Sequence, residues 1–125
     1  MSIQDVSRTI PTLSVVGCAD RRADLLSYHG KRLVLDLGLS QPVSVEVVPD
    51  LVGMKGGYMT LPDGSHKVYI ADQCQALTAT LAHELRHAYQ AENNSQGEYQ
   101  WQVAYAKRKH EVDATTYATS YVAAL

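Results

Sequence analysis

The segment His83-Glu84-Leu85-Arg86-His87 decides how this sequence of 125 residues is interpreted. Residues i and i+4 of a helix project from the same face, so His83 and His87 can offer two imidazole nitrogens to one metal ion. Glu84 lies about 100° further round the helix, close enough to reach a water molecule on that metal. Zinc lowers the pKa of a bound water, and a neighbouring carboxylate can take its proton. The pattern therefore predicts Zn2+ as the cofactor, His83 and His87 as ligands, and Glu84 as the catalytic general base.

The sequence on both sides predicts a helix around this segment. Asp72 is a good N-cap residue, and Gln75 three residues later completes a capping-box pattern. Apolar residues recur at helical spacing on the side opposite the two histidines: Leu77, Leu81, Leu85 and Ala88. Asn93-Asn94 marks the expected end of the helix, and Ser95-Gln96-Gly97 is the expected loop beyond it.

The rest of the chain predicts an α+β fold. The expected elements are a helix from Asp20 to about Gly38, a strand over Val43–Val48, a hairpin over Tyr58–Ile70 and further helix from Glu98 to Ala124. Thr12–Cys18 fits either a strand or the approach to a helix. This order predicts a single domain over residues 1–125, in which a small, mostly antiparallel sheet of about three strands packs on helices.

The composition narrows the classes of function. The formal charge is −2, and 46% of the residues are apolar, which suits a globular core. The densest basic stretch, Lys107-Arg108-Lys109, is followed at once by acidic residues, which argues against a nucleic-acid partner. The two cysteines, Cys18 and Cys74, are too few for a disulfide-stapled domain. No apolar stretch indicates a signal peptide or a membrane span, so the expected location is cytoplasmic, with no membrane partner. The oligomeric state is left open.

A catalytic zinc ion needs a third protein ligand and one open coordination position. Metzincins place that ligand six residues after the second histidine, with a glycine halfway, whereas this chain has Asn93 and Gln90 there, which excludes that class. The remaining candidates lie in the last predicted helix: His110, Glu111 and Asp113. Glu111 follows the second histidine by 24 residues, which is enough for a turn and a returning helix.

The segment Glu111-Val112-Asp113-Ala114-Thr115-Thr116-Tyr117-Ala118 resembles a known helix signature, E-x-(E/D)-A-x-x-(F/Y)-A. That signature follows HExxH in the gluzincins, particularly in the ImmA/IrrE-type metallopeptidases, and the resemblance covers roughly residues 56–120. It implies a zincin-like fold with an active-site helix and a C-terminal helix that supplies the third ligand, Glu111. It also implies that small alanine residues let the two helices approach closely. His110 keeps a three-histidine site of the SprT type open, and Asp113 is expected to support a ligand or to lie at the surface.

Catalysis also calls for a donor that stabilises the tetrahedral intermediate opposite the base. The first candidates are Tyr117, on the same helix as Glu111, and His66, on the hairpin. Arg86 points away from the ligand face and is expected in a salt bridge or in solvent. If His66–Ile70 is an edge strand, a peptide could add to it by backbone hydrogen bonds and lie across the zinc.

Two hypotheses about function follow from these residues. The leading one is a zinc metalloendopeptidase that hydrolyses peptide bonds in a specific protein substrate through a zinc-activated water. The alternative is a zincin-like binding or regulatory module with a structural or vestigial zinc site. The full set of expected ligands and base favours the enzyme, and the lack of an evident oxyanion donor favours the module.

Overall fold

The computed structural model describes residues 10–93 and 108–125. In these ranges the chain forms strand β1 (Leu13–Val16), helix α1 (Arg21–Leu37), strands β2 (Val43–Val48), β3 (Gly56–Thr60) and β4 (His66–Ala71), and helices α2 (Leu77–Glu92) and α3 (Lys109–Ala123). The predicted α+β class is therefore confirmed, and the open interpretation of Thr12–Cys18 is settled as a strand. The expected loop at residues 95–97 and the first part of the helix predicted over 98–124 lie outside the described residues. Neither described range contains a helix that is both long and apolar enough to cross a membrane.

The four strands form one mixed sheet in the order β1-β2-β4-β3. Strand β2 pairs in parallel with both β1 and β4, whereas β3 and β4 pair antiparallel. The prediction of about three mostly antiparallel strands was therefore wrong in number and in direction. The hairpin forms as expected, but its second strand lies next to β2, and α1 provides the crossover that the parallel pair of β1 and β2 requires. Local sequence could not show this, because strand direction depends on partners that are distant in the chain.

Helix α1 begins and ends where its capping residues predict. The Asp20 carboxylate accepts a hydrogen bond from the Arg22 backbone N–H at 2.9 Å, and Gly38 ends the helix in the left-handed conformation with φ at 64°. Helix α2, in contrast, begins at Leu77 rather than after Asp72, so the capping-box prediction was wrong. The Asp72 carboxylate pairs with the Arg22 guanidinium instead, and a short turn separates it from the helix.

The hydrophobic core lies between one face of the sheet and helices α1 and α2. Strands β2 and β4 alternate buried and half-buried residues, so one face of each strand is covered. The largest fully buried apolar side chains are Leu26, Leu33, Val34, Val45, Val68, Ile70, Leu81 and Leu85. Helix α3 packs on α2 rather than on the sheet, and Ala114 and Ala118 are its buried apolar residues. Most of the contacts that hold α3 in place are therefore with α2.

Candidate metal centre

His83, His87 and Glu111 form a compact group of metal-binding side chains at the contact between α2 and α3. The Nε2 atoms of His83 and His87 lie 3.3 Å apart. Glu111 Oε1 lies 2.9 Å from the Nε2 atom of His83 and 3.1 Å from that of His87. His87 and Glu111 are buried, and His83 is half-buried. The structure thus brings together the two histidines that the sequence indicated and the glutamate that the resemblance implied.

Local geometry accounts for this convergence. His83 and His87 stand one turn apart on α2, and their ring centroids are 4.9 Å apart. Glu111 lies in the first turn of α3, on the same face as the buried residues Ala114 and Ala118. Because alanine carries only a methyl group, it lets α3 lie close to α2. A larger residue at Ala114 would push the Glu111 carboxylate away from the histidines.

Gln90 fixes the orientation of the His87 ring. Its Nε2 donates to the backbone carbonyl of His110 at 2.8 Å and to the Asp113 carboxylate at 2.9 Å. Its Oε1 is therefore the atom that accepts from His87 Nδ1, at 2.8 Å. The neutral His87 ring then carries its hydrogen on Nδ1 and directs the Nε2 lone pair at Glu111. Burial alone would lower the pKa of His87, but the hydrogen bonds to Glu111 and Gln90 outweigh burial and raise it.

The donor set fits a divalent cation such as zinc. With His87 neutral, its Nε2 lone pair faces a carboxylate oxygen of Glu111 at 3.1 Å, and either a proton on Nε2 or a bound cation would relieve the repulsion between them. Two atoms that each bind one tetrahedral zinc ion at about 2.0 Å are about 3.3 Å apart. The three separations of 2.9, 3.1 and 3.3 Å are close to that value. Two imidazoles and one carboxylate are also a ligand set that zinc favours.

Glu84 lies beside this group and is not part of it. The residue is 7% exposed, and burial raises the pKa of its carboxyl group. The two histidines oppose that shift, and Glu111 adds to it. Within residues 10–93 and 108–125, no group donates a hydrogen bond to the Glu84 carboxylate. A buried carboxyl group with a raised pKa and no fixed partner is suited to proton exchange.

A cleft of about 700 Å³ opens beside His83 and Glu84. It is bounded by the loop that leads into β3, by the first half of α2 and by the later turns of α3. Its volume lies in the range of about 300–1,000 Å³ that is typical of ligand sites. Gly56 forms part of the wall, and a Cβ there would lie 2.6 Å from Thr80 Cγ2 and 3.2 Å from Glu84 Cγ. Glycine at this position therefore keeps β3 close to α2.

The other polar side chains of α3 support the centre from its edge. His110 Nε2 lies 3.3 Å from Oε2 of Glu111, the oxygen that does not contact the α2 histidines. Asp113 accepts hydrogen bonds from Arg86 Nε at 2.8 Å and from Gln90 Nε2. Arg86 is thus in a salt bridge, as one of the two sequence alternatives predicted, and Asp113 bonds to Gln90, which in turn bonds to His87. The salt bridge between Arg86 and Asp113 ties α2 to α3 next to the candidate metal centre.

The two predicted oxyanion donors are engaged with other partners. Tyr117 Oη donates to the carboxylate of Asp36 on α1, and burial together with this bond raises the pKa of Tyr117. His66 is 1% exposed, with Nε2 at 2.6 Å from the Glu92 carboxylate and Nδ1 at 2.7 Å from the Tyr58 hydroxyl. Neither Tyr117 nor His66 lines the cleft. Their observed contacts tie α3 to α1, and β4 to α2 and β3.

The edge strand beside the cleft is β3. The sequence left open whether His66–Ile70 forms the edge, and in the structure it does not, because β4 lies between β2 and β3. Just before β3, the Lys55 carbonyl accepts a backbone hydrogen bond from Ala71 N–H. Just after β3, the Leu61 N–H donates one to the Ser65 carbonyl. In an antiparallel pair, every second residue bonds to the neighbouring strand and the residues between them point their backbone groups away from it. Since Lys55 and Leu61 bond toward β4, the backbone groups that point away from β4 are those of Gly56, Tyr58 and Thr60. Of these three residues Gly56 lines the cleft, so β3 directs the outward backbone groups of Gly56 toward it.

Sequence analysis did not identify Gln90 or Thr115 as parts of the site. The signal for Gln90 was its position three residues after His87, since residues three apart on a helix are neighbours. Thr115 lies one turn after Glu111, and its Oγ1 is 3.4 Å from Nδ1 of His83. Both residues could have been proposed as supports for the histidines once two helices were expected to meet there.

No protein-family model, curated protein or solved structure shows a significant match to this chain. The class that the structure itself defines is a small α+β fold with a four-stranded mixed sheet, in which three side chains could hold a metal ion.

Proposed function

We propose that this chain is a zincin-like, zinc-dependent metallopeptidase that hydrolyses peptide bonds in a protein or peptide substrate. The observation that carries the proposal is the position of Glu84, whose carboxylate borders the cleft next to His83 and accepts no hydrogen bond from the residues that the structure describes. A structural zinc site is normally closed by four protein ligands, whereas a catalytic site has three and keeps an open position. In the part of the chain that the structure describes, three ligand side chains converge, and His83 lines the cleft.

Each residue of the centre has a role in this proposal. His83, His87 and Glu111 would hold the zinc ion, which supplies a Lewis acid and lowers the pKa of a bound water. Glu84 is the general base that takes a proton from the attacking water and later returns it to the leaving amine. The raised pKa of Glu84 supports both steps, because a carboxyl group closer to neutrality exchanges protons more readily at neutral pH.

Strand β3 supports a peptide as the substrate. Its outward backbone groups can pair with an extended chain, as an added strand pairs with the edge of a sheet. Gly56 is both part of this edge and part of the cleft wall. A peptide paired with β3 would therefore pass directly beside Glu84.

The test compares wild-type protein with the Glu84→Gln and His83→Ala variants, all purified without a histidine tag. Wild type and Glu84→Gln should each retain about one zinc ion per chain, whereas His83→Ala should lose it. Zinc-loaded wild type should cleave a mixture of peptides from a digested proteome. Glu84→Gln should be at least about 100-fold slower, since a general base contributes about 10²–10⁴-fold. An absence of zinc in wild type, or equal cleavage by Glu84→Gln, would contradict the proposal.

A zincin-like binding or regulatory module is the second candidate. The engagement of Tyr117 with Asp36 and of His66 with Glu92 favours it, because it removes both predicted donors for the tetrahedral intermediate. Such a module would bind a partner protein and leave it intact, and the Glu84→Gln change would not alter that binding. Incubation with candidate partners, with and without a chelator, separates the two functions.

A further inference from the structure

The walls of the cleft continue the two helix faces that carry the proposed ligands. Ala76, the residue just before α2, and Ala79 and Thr80 on α2 precede His83 at helical spacing, on the same side of the helix. On α3, the lining residues that follow Glu111 at the same spacing are Thr115, Ala118, Thr119 and Val122. The groove between these faces therefore leads straight to the position where the proposed reaction takes place.

This groove is apolar and wide because its walls are built from small side chains. The apolar residues along it are Met54, Ala76, Ala79, Ala118, Val122 and Ala123. Among the described residues of the lining, Lys55 is the one ionisable side chain apart from His83 and Glu84, and it lies on the loop before β3. Alanine at two facing positions, Ala79 and Ala118, leaves space that larger side chains would fill.

The loop that leads to Met54 also exposes apolar side chains. Val52 is 90% exposed, and its backbone adopts the left-handed conformation with φ at 53°, which a β-branched residue rarely takes. The Asp50 carboxylate accepts a hydrogen bond from the Val52 N–H at 3.0 Å and holds the loop in this form. Met54, two residues later, is exposed and lines the groove. Strained backbone of this kind clusters at sites of function.

We infer that this groove receives a large apolar side chain, of the Leu, Phe or Met type, from the substrate residue next to the scissile peptide bond. The inference rests on the proposed function and names its substrate class. A polypeptide is the occupant because the groove is continuous with Glu84 and with the outward backbone groups of β3 at Gly56. An acidic substrate side chain is disfavoured, since it would lie near the Glu84 carboxylate in apolar surroundings.

The first test measures cleavage preference. Zinc-loaded wild type is incubated with acetylated peptides that are randomised at six central positions, and the new chain ends are identified by mass spectrometry. One position next to the cut should favour Leu, Phe and Met over Ala by about 10-fold or more, as expected for an apolar pocket. Cleavage without an apolar preference on either side of the cut would overturn the inference.

A matched pair of variants locates the preference in the groove. Thr119→Leu narrows the groove, and it should lower kcat/KM for a Phe peptide about 10-fold or more relative to kcat/KM for an Ala peptide. Thr116→Leu makes the same change at an exposed position of α3 outside the groove and should keep the wild-type preference. Zinc content of both variants reports whether the centre is intact. Equal preference in Thr119→Leu and wild type would also overturn the inference.

The second test needs neither zinc nor catalysis. The alanine methyl groups of the metal-free protein are labelled with ¹³C and titrated with acetyl-phenylalanine amide or acetyl-alanine amide. The phenylalanine compound should shift the Ala79 methyl signal in a saturable way, and the alanine compound should shift it several-fold less at the same concentration. Without such a shift, the inference fails even if the protein is a peptidase. A shift without cleavage of any peptide would uphold the pocket and contradict the proposed function.

Discussion

Replacing Gln90 with leucine should weaken zinc binding while the fold is kept. Leucine fills much of the same volume, so the change removes hydrogen bonds rather than packing. Gln90 is 1% exposed, and its amide joins His87 Nδ1, the His110 carbonyl and the Asp113 carboxylate at 2.8, 2.8 and 2.9 Å. In Gln90→Leu, the His87 ring loses the acceptor that holds its hydrogen on Nδ1 and its lone pair on Nε2.

The contacts of Gln90 set the size of the expected losses in zinc affinity and in stability. Removing the partner that orients a metal-binding histidine costs about 10–100-fold in metal affinity, or about 1.4–2.7 kcal/mol. The upper part of this range is expected, because His87 is buried and water cannot easily replace Gln90. The three lost hydrogen bonds should also lower the free energy of unfolding of the metal-free protein by about 2–4 kcal/mol. A domain with typical stability stays folded after such a loss.

Competition with a chromophoric chelator at pH 7 measures the zinc affinity, and urea unfolding measures stability separately. Gln75→Leu is the matched control, because Gln75 is exposed in the turn before α2. That variant should bind zinc within about twofold of wild type, as surface substitutions generally do. Wild-type affinity in Gln90→Leu, together with a measurable loss of stability, would refute the reasoning that Gln90 orients His87.

Three further predictions concern stability. For Glu92, burial alone would raise the pKa, but hydrogen bonds from His66, Ser40 and Gln41 lower it. Glu92→Gln should therefore lower the free energy of unfolding by about 1–3 kcal/mol at pH 7, and this difference should shrink as the pH falls below 4.5. Urea unfolding at several pH values measures it. Burial raises the pKa of Glu84, so ionisation of this group opposes folding. Metal-free Glu84→Gln should therefore be more stable than wild type at pH 7 but not below pH 4.5. A variant that is less stable than wild type at pH 7 would contradict this prediction. Gly56→Ala would place a Cβ 2.6 Å from Thr80 Cγ2 and should lower the free energy of unfolding by about 1–3 kcal/mol, which thermal unfolding measures. An unchanged midpoint temperature would show that β3 moves away from α2 freely.

The local part of the candidate site could be predicted from the sequence, and its supports could not. The spacing of His83 and His87 is a property of one helix, so a periodic pattern was enough to place both rings on one face. Glu111 required a motif resemblance, because it comes from another helix. Gln90 and Thr115 were missed because their roles depend on how α3 approaches α2, which no single-helix pattern contains.

The errors in the fold have the same origin. The capping-box pattern at Asp72 was a sound local signal, but Arg22, fifty residues earlier in the chain, binds that carboxylate instead. The hairpin turn was also read correctly, yet the choice of which hairpin strand pairs with β2 is a long-range one. The sequence therefore left open whether His66–Ile70 forms the edge, and only the folded sheet places β4 inside it.

The sequence by itself determined the α+β class, the extent of α1, the strand over Val43–Val48, and the pairing of two histidines with Glu84 on one helix. Each of these depends on residues within a few positions of one another, where backbone periodicity and capping act directly. Only the tertiary structure decided the strand order, the meeting of Glu111 with the histidines, and the apolar groove beside Glu84. These depend on contacts between distant segments, whose free energy comes from packing that is formed only when the whole chain is folded.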